Sequence, residues 1–294
     1  MAENMVPLIS IGMPIFNSEL TLIYSIEAIV NQSFRNFELI ISDNCSTDST
    51  GEICRRYEKI DKRITYIRQP CNIGPAANFK FVLDRAKGNY FMWAACDDIR
   101  TPDFLKENID FLEKNNKYVA STSPNCMEGQ EDNLDRIINF SITGDIEKRF
   151  EDFFKNCWVS HGIFYSVVRT EVMRKCDLVG QTFIAADWAI DLFLASHGCI
   201  HRTSKGLAIF GAHGVSNRGN PYQSLRNDRI ELFLPFYRLS LYTMNLSANF
   251  SVGSKFKLMC ILLKLNISAV YSQLYSALYQ FYCANLKPLI KINR

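Results

Sequence analysis

The sequence predicts an α/β fold: a parallel sheet with right-handed crossovers that collects its polar loops along one edge, followed by a helical C-terminal region. Three observations predict it. Short apolar runs alternate with helix-periodic segments through the first 115 residues, the pattern of successive βαβ units. The polar clusters follow strands, so they gather at one sheet edge, where open α/β sheets bind ligands. From Arg229 onward the chain is periodic and rich in Leu, Phe and Tyr.

Residues 8–13 (LISIGM) form a first strand, ended by Pro14, and Ser18 caps a helix that runs to about Gln32. Residues 37–42 (FELIIS) form a second strand that runs into DNCSTD, a cluster of turn and cap residues. An amphipathic helix over 49–60 and a third strand over 64–68 follow. The next helix starts near Pro75, a favoured first-turn position, and ends at Gly88 as its C′ residue. The fourth strand, in the apolar run 90–95, stops at two adjacent carboxylates, Asp97 and Asp98, before Thr101-Pro102 and a helix over 103–115. Beyond it the pattern predicts strands at 118–123, 161–168 and 207–210, helices at 145–156 and 185–196, and a polar loop over 124–135. The expected domains are an α/β unit over 1–228, with a regular half (1–115) and a less regular half (116–228), and a basic, apolar helical region over 229–294.

Composition narrows the function. A net charge of +3, with 48% hydrophobic and 21% charged residues, gives nucleic-acid binding no support. The charge is unevenly placed, however. All 30 acidic residues precede Leu232, while seven of the 33 basic residues follow Glu231. Such asymmetry points to an anionic surface as partner. The ten cysteines are scattered singly, without zinc spacing, which reads as buried thiols in a reducing compartment. The N-terminus has no basic n-region and reads as no signal peptide. No uncharged apolar run reaches the ~18 residues of a membrane span. The segment 254–285 mixes apolar residues with Lys255, Lys257 and Lys264, a combination suited either to a membrane interface or to a helical cap on the protein itself.

Chemistry concentrates in the strand-end loops. Paired carboxylates such as Asp97 and Asp98 suit a hard divalent cation that serves a phosphate, although an Asp near a helix start is also an ordinary cap. Neither a G-x-G-x-x-G turn after the first strand nor a G-x-x-x-x-G-K-[ST] loop is present, so phosphates have no glycine cradle of those kinds. Asp43, past the second strand, can accept a hydrogen bond from a base edge or can simply shape its turn. Asn72, Gly74 and Asn78 surround a helix start, where backbone N–H groups suit anions.

In order, Pro14, Phe16 and Asn17 after strand one, DNCSTD from Asp43, Asn72 with Gly74 and then Asn78, and Asp97-Asp98 with Pro102 resemble a family-2 glycosyltransferase of the GT-A fold. The likeness is close over residues 6–115 and looser to about 215. It implies a mixed sheet with a Rossmann-like nucleotide-binding half, a nucleotide-sugar donor (usually a UDP-sugar), and Mn2+ or Mg2+. It also implies an inverting transfer to a glycan or lipid-linked glycan at the cytoplasmic face of a membrane. By resemblance Asp97 serves the ribose or metal, Asp98 the metal and Asp43 the uracil, with guanine also open to a carboxylate. Pro14, Phe16 and Asn17 border the nucleotide. The catalytic base maps to Asp187 in IAADWAIDLFLASHG, with Asp191 more structural. Trp188 and His161 fall on the acceptor side, and His213 lies where relatives place a group on the metal or diphosphate. Cys96 and Ala186 stand where the family more often has acids, so a catalytically degenerate nucleotide-sugar-binding or scaffold protein is the alternative. A sugar-nucleotide pyrophosphorylase would need a Gly-rich, Arg-containing first loop, which residues 13–18 do not supply.

Overall fold

The computed structural model describes residues 6–159, 162–211, 225–226 and 228–281. The chain forms two compact units, Met1–Gln181 with Asp187–Arg218, and Thr182–Ala186 with Gly219–Arg294.

The first unit is built on a seven-stranded sheet. Its strands are β1 (Ile9–Ile15), β2 (Phe37–Asp43), β3 (Ile64–Arg68), β4 (Tyr90–Trp93), β6 (Tyr118–Thr122), β8 (Val167–Arg169) and β9 (Cys199–Arg202), in the order β3-β2-β1-β4-β8-β6-β9. The pairs β1–β2, β1–β4, β2–β3 and β6–β9 are parallel, whereas β8 runs antiparallel to both β4 and β6. The sheet is therefore mixed, as the family resemblance implies: β1 to β4, the strands read from alternation, are parallel, and the reversal comes at β8, beyond that stretch. The carboxyl ends of β1, β2, β4 and β6 share one edge. Helices α1 (Leu22–Val30), α2 (Thr50–Ile60), α3 (Pro75–Arg85) and α4 (Phe104–Lys114) connect the early strands. Ile9, Ile11 and Met13 of β1 have no exposed surface. Burying each is worth about 1.5–3 kcal/mol, which favours this strand at the sheet centre.

Several boundaries move for identifiable reasons. Strand β1 continues through Pro14 to Ile15, because a proline at the strand end gives up only one ladder donor. Ser18 does not cap α1. Its hydroxyl donates to the Phe16 carbonyl and its own carbonyl accepts from Thr21 and Leu22, so the helix begins at Leu22. Helix α3 ends at Arg85, not at Gly88. Gly88 is required instead by close approach, since a Cβ there would lie 2.7 Å from the backbone nitrogen of Ser10. The strand expected over 161–168 shrinks to β8, entered through a turn.

A second, three-stranded sheet joins β5 (Ile99–Arg100), β10 (Ala208–Phe210) and β7 (Asn125–Met127) in the order β5-β10-β7. β10 falls within the strand expected over 207–210, whereas β5 and β7 lie in polar stretches read as loops, and the sheet brings residue 211 beside the carboxylate pair. Helix α5 (Ile146–Asn156), the short α6 (Thr170–Met173) and α7 (Ala186–His197) complete the elements up to residue 197. In the second unit, α8 (Tyr237–Leu246) packs on the 30-residue helix α9 (Val252–Phe281).

Candidate functional site

Two loops at the carboxyl edge are stitched together by their own polar groups. Asn17 takes a left-handed φ of 48° after β1, a conformation that asparagine tolerates. Its N–H donates to Ser46 Oγ (2.9 Å) and its side-chain oxygen accepts from Thr47 N–H (2.9 Å). The Ser18 N–H donates to Thr50 Oγ1 at 2.7 Å. A third loop joins through Asn44, whose side chain donates to Asn72 Oδ1 and accepts from the Ile73 N–H. Pro14, Phe16, Asn17, Asn72 and Gly74 thus share one surface, on which Phe16, Asn17 and Asn72 are exposed.

Asp43 and Asn78 hold that surface from behind. Asp43 is fully buried; Oδ1 accepts from Ser46 N–H (2.8 Å) and Oδ2 from the Tyr66 hydroxyl (2.7 Å). In this arrangement its carboxylate fixes the β2 turn, and contact with a base requires the Tyr66 or Ser46 partner to move. Asn78 is also buried, donating to the Ser42 carbonyl and accepting from the Ser42 hydroxyl. It ties α3 to β2.

The carboxylate pair lies where β4 leaves the sheet. Asp98 is only 5% exposed, and its Oδ1 accepts from the Gly211 N–H at 3.3 Å. Oδ2 lies 3.5 Å from Arg100 Nη2. Burial pushes its pKa up to about 6, with Asp97 adding to the rise and Arg100 opposing it. Arg100 is itself buried, and its guanidinium carbon lies 5.5 Å from the Phe104 ring centroid and 5.9 Å from that of Tyr165. Gly211 is needed here, because a Cβ would lie 2.7 Å from Asp97 Cβ. Cys96 keeps a thiol: burial raises its pKa, and its S–H donates to the Ser18 hydroxyl at 3.1 Å. It links the acid motif to the first loop.

Asp187 is exposed in the first turn of α7. Ala185, just before it, has a left-handed φ of 62°, an unfavourable conformation for a residue with a Cβ. Asp191, one turn on, is buried, and burial together with the charge of Asp187 holds its carboxyl well above the usual range. Both causes favour its protonated form. Trp188 is largely buried, and its ring meets Trp158 edge-on at 5.0 Å. Trp158, at 56% exposed, is the indole with surface to offer. Trp93 is core, with its indole N–H donating to the Phe79 carbonyl.

Tyr165 packs beside the second sheet and Arg100. Its ring centroid lies 5.8 Å from that of Phe210, beside Gly211. Burial, and after it the charges of Asp98, Asp187 and Asp97, push its phenol above the ordinary range. Sequence reading missed Tyr165, Arg100 and Gly211. The only signal was their place beside turns and short strands, since an aromatic or an arginine there is ordinary. His161 and His213 lie outside the described residues.

Asp97 and Asp98 suit a divalent cation in one specific respect. The Oδ2 atom of each is buried without a hydrogen-bond partner among the described residues. Among the described residues no group of three or more His, Cys, Asp or Glu side chains assembles as a metal site. Two carboxylates, with the remaining ligands from phosphate and water, match a Mg2+-type site.

A family model described as Glycosyl transferase family 2 matches residues 10–175. An uncharacterised glycosyltransferase of Haemophilus influenzae is 39% identical over 114 residues, 39% of this chain and 46% of that protein. A GalNAc(5)-diNAcBac-PP-undecaprenol beta-1,3-glucosyltransferase of Campylobacter jejuni is 31% identical over 171 residues, 57% of this chain and 53% of that protein. The chain spans about half the length of these curated relatives. Among solved structures, residues 1–349 of Staphylococcus aureus TarS in complex with UDP-GlcNAc superpose with a TM-score of 0.61 at 18% identity, covering 87% of this chain and 71% of that one. At that identity the likeness is one of fold.

Proposed function

The chain belongs to glycosyl transferase family 2, and from that premise we propose that it transfers a sugar, with inversion, from a UDP-sugar to a hydroxyl of a glycan or lipid-linked glycan. Its fold is of the GT-A type. The observation that carries the reading is the Asp97-Asp98 pair at the end of β4, within the stretch the family model matches, with the Oδ2 atom of each buried and without a hydrogen-bond partner among the described residues. The UDP choice is supported by the UDP-GlcNAc complex of TarS, and the acceptor class by the undecaprenol-linked substrate in the name of the Campylobacter relative. The proposed workplace is the cytoplasmic face of a membrane.

The loops carrying Phe16, Asn17 and Asn72 border the nucleotide, and Asp43 with Asn78 keeps them in register. Asp187 accepts the proton of the acceptor hydroxyl. The acceptor oxygen then bonds to the anomeric carbon as that carbon's bond to the diphosphate oxygen breaks, and the nucleoside diphosphate leaves with the electron pair. Asp97 and Asp98 would hold Mn2+ or Mg2+, which when bound supplies positive charge to the departing diphosphate. Arg100 keeps Asp98 paired, and the Tyr165 hydroxyl is available to a sugar or phosphate oxygen. Trp158 offers an apolar face to an acceptor sugar, with Trp188 backing it.

The test is UDP release from a panel of UDP-sugars in the presence of membrane-extracted glycolipid. Wild type should release UDP with one donor in preference. Asp187→Asn should be slower by about 100-fold or more, the usual worth of a general base. Equal rates in the two proteins would remove Asp187 from the chemistry. Donor binding without turnover of any donor would favour the degenerate binding protein.

A further inference from the structure

Helix α9 has two faces of different character. Leu258, Leu262, Leu265 and Ala269 are buried on one side. The same side carries Asn266, which accepts from the Phe236 N–H and donates to the Ser240 hydroxyl, fastening α9 to α8. The opposite side is apolar yet uncovered. Phe256, Met259, Leu263, Ile267, Tyr271 and Leu274 follow one another at steps of three and four residues, a single helical stripe. Each is between 51% (Met259) and 71% (Tyr271) exposed. At 1.5 Å per residue the 30-residue helix is about 45 Å long, and the stripe follows most of it. A contiguous apolar surface of this kind marks an interaction site.

Charge identifies the partner. Lys257 and Lys264 are exposed and seven residues apart, each one position after a stripe residue, so they border the same edge of it. The chain has no acidic residue after Glu231, and Lys287, Lys291 and Arg294 lie further along the sequence. We infer that the exposed face of α9 docks in the plane of an anionic lipid surface, with the stripe in the acyl boundary and the lysines at the headgroups. A symmetric pairing of two α9 stripes would bring lysine edges together without acidic partners on the helix. By length and composition Val252–Ser276 could also cross a membrane. Spanning would strip Asn266 of its partners and place Lys257 and Lys264 in hydrocarbon, both costly. Lying flat preserves the α8 contacts and satisfies the lysines. The inference goes beyond the transfer reaction and does not depend on it.

The test is co-sedimentation of the full chain with vesicles of phosphatidylcholine alone and with about 30% phosphatidylglycerol added, which gives the surface a negative potential. Wild type should pellet with the anionic vesicles, at least 10-fold more tightly than with neutral ones, and should be released by high salt or carbonate. Leu263→Glu with Ile267→Glu should abolish pelleting while melting temperature and UDP affinity stay unchanged. Lys257→Glu with Lys264→Glu should remove the preference for anionic lipid. Failure of wild type to pellet, or retention of binding by the Leu263/Ile267 variant, overturns the inference. Resistance to carbonate extraction would establish insertion across the bilayer instead. A wild-type dimer that the Leu263/Ile267 variant converts to monomer, without vesicle binding, would assign the face to a second copy.

Discussion

Replacing Asp98 with asparagine should stabilise the metal-free protein while destroying its proposed function. The carboxyl is almost fully buried, and its folded pKa is raised from the usual 3.8 to about 6. A carboxyl raised in this way binds its proton more tightly folded than unfolded. Its contribution to stability is therefore fully present below pH 4 and is lost as pH rises through 6. A shift of about two units at ~1.4 kcal/mol each gives a penalty of about 3 kcal/mol above pH 7, with the attraction of Arg100 already included. Asparagine keeps the shape and cannot ionise. In buffer with a chelator, the advantage of Asp98→Asn should grow between pH 4 and pH 7 to roughly 6–10 °C in melting temperature. Scanning calorimetry of both proteins across that range is the assay. A variant less stable than wild type at pH 7.5 would refute the reasoning, because the Asp98–Arg100 pair would then be a net stabilising element. Adding Mn2+ with UDP should raise the melting temperature of wild type only, since binding to the native state adds stability by mass action.

Three further outcomes follow from the site. Gly211→Ala should cost about 1–3 kcal/mol by urea denaturation, and should weaken UDP binding, because the new Cβ drives into Asp97. Tyr165→Phe should leave UDP affinity within about 2-fold by calorimetry yet lower turnover by about 10-fold or more in initial-rate assays, as expected for loss of one hydrogen-bond donor at a reacting centre. Asp191→Asn should be as stable as wild type or more so at pH 7.5, and should keep its transfer rate, since burial and the charge of Asp187 both disfavour the ionised carboxylate there.

The sequence exposes the early strands because each is an apolar run closed by turn residues. β3 falls within the expected bounds, and α2, α4 and α5 within one residue of them at each end. It exposes β10, within the strand expected over 207–210, but not its partners β5 and β7, which are two and three residues long and exist only through pairing with distant segments. The reversal of β8 has the same origin, since strand direction is decided by partners and not by local pattern. The carboxylates were legible because paired acids after a strand are conspicuous. Arg100 and Tyr165 were not, because what distinguishes them is packing: one buried beside Asp98, the other set against Phe210 and Arg100. Asp43 and Asn78 show the converse. Their positions were readable, but the partners that occupy their side chains, Tyr66, Ser46 and Ser42, come from tertiary contacts.

The central claim is that one site uses Asp98 for the donor and Asp187 for proton removal. Calorimetric titration of UDP, with and without Mn2+, into wild type, Asp98→Asn and Asp187→Asn tests it most directly. The account predicts Mn2+-dependent UDP binding to wild type and Asp187→Asn with similar affinity, and its loss in Asp98→Asn. Undiminished binding to Asp98→Asn, or no UDP binding to wild type under either condition, would contradict it.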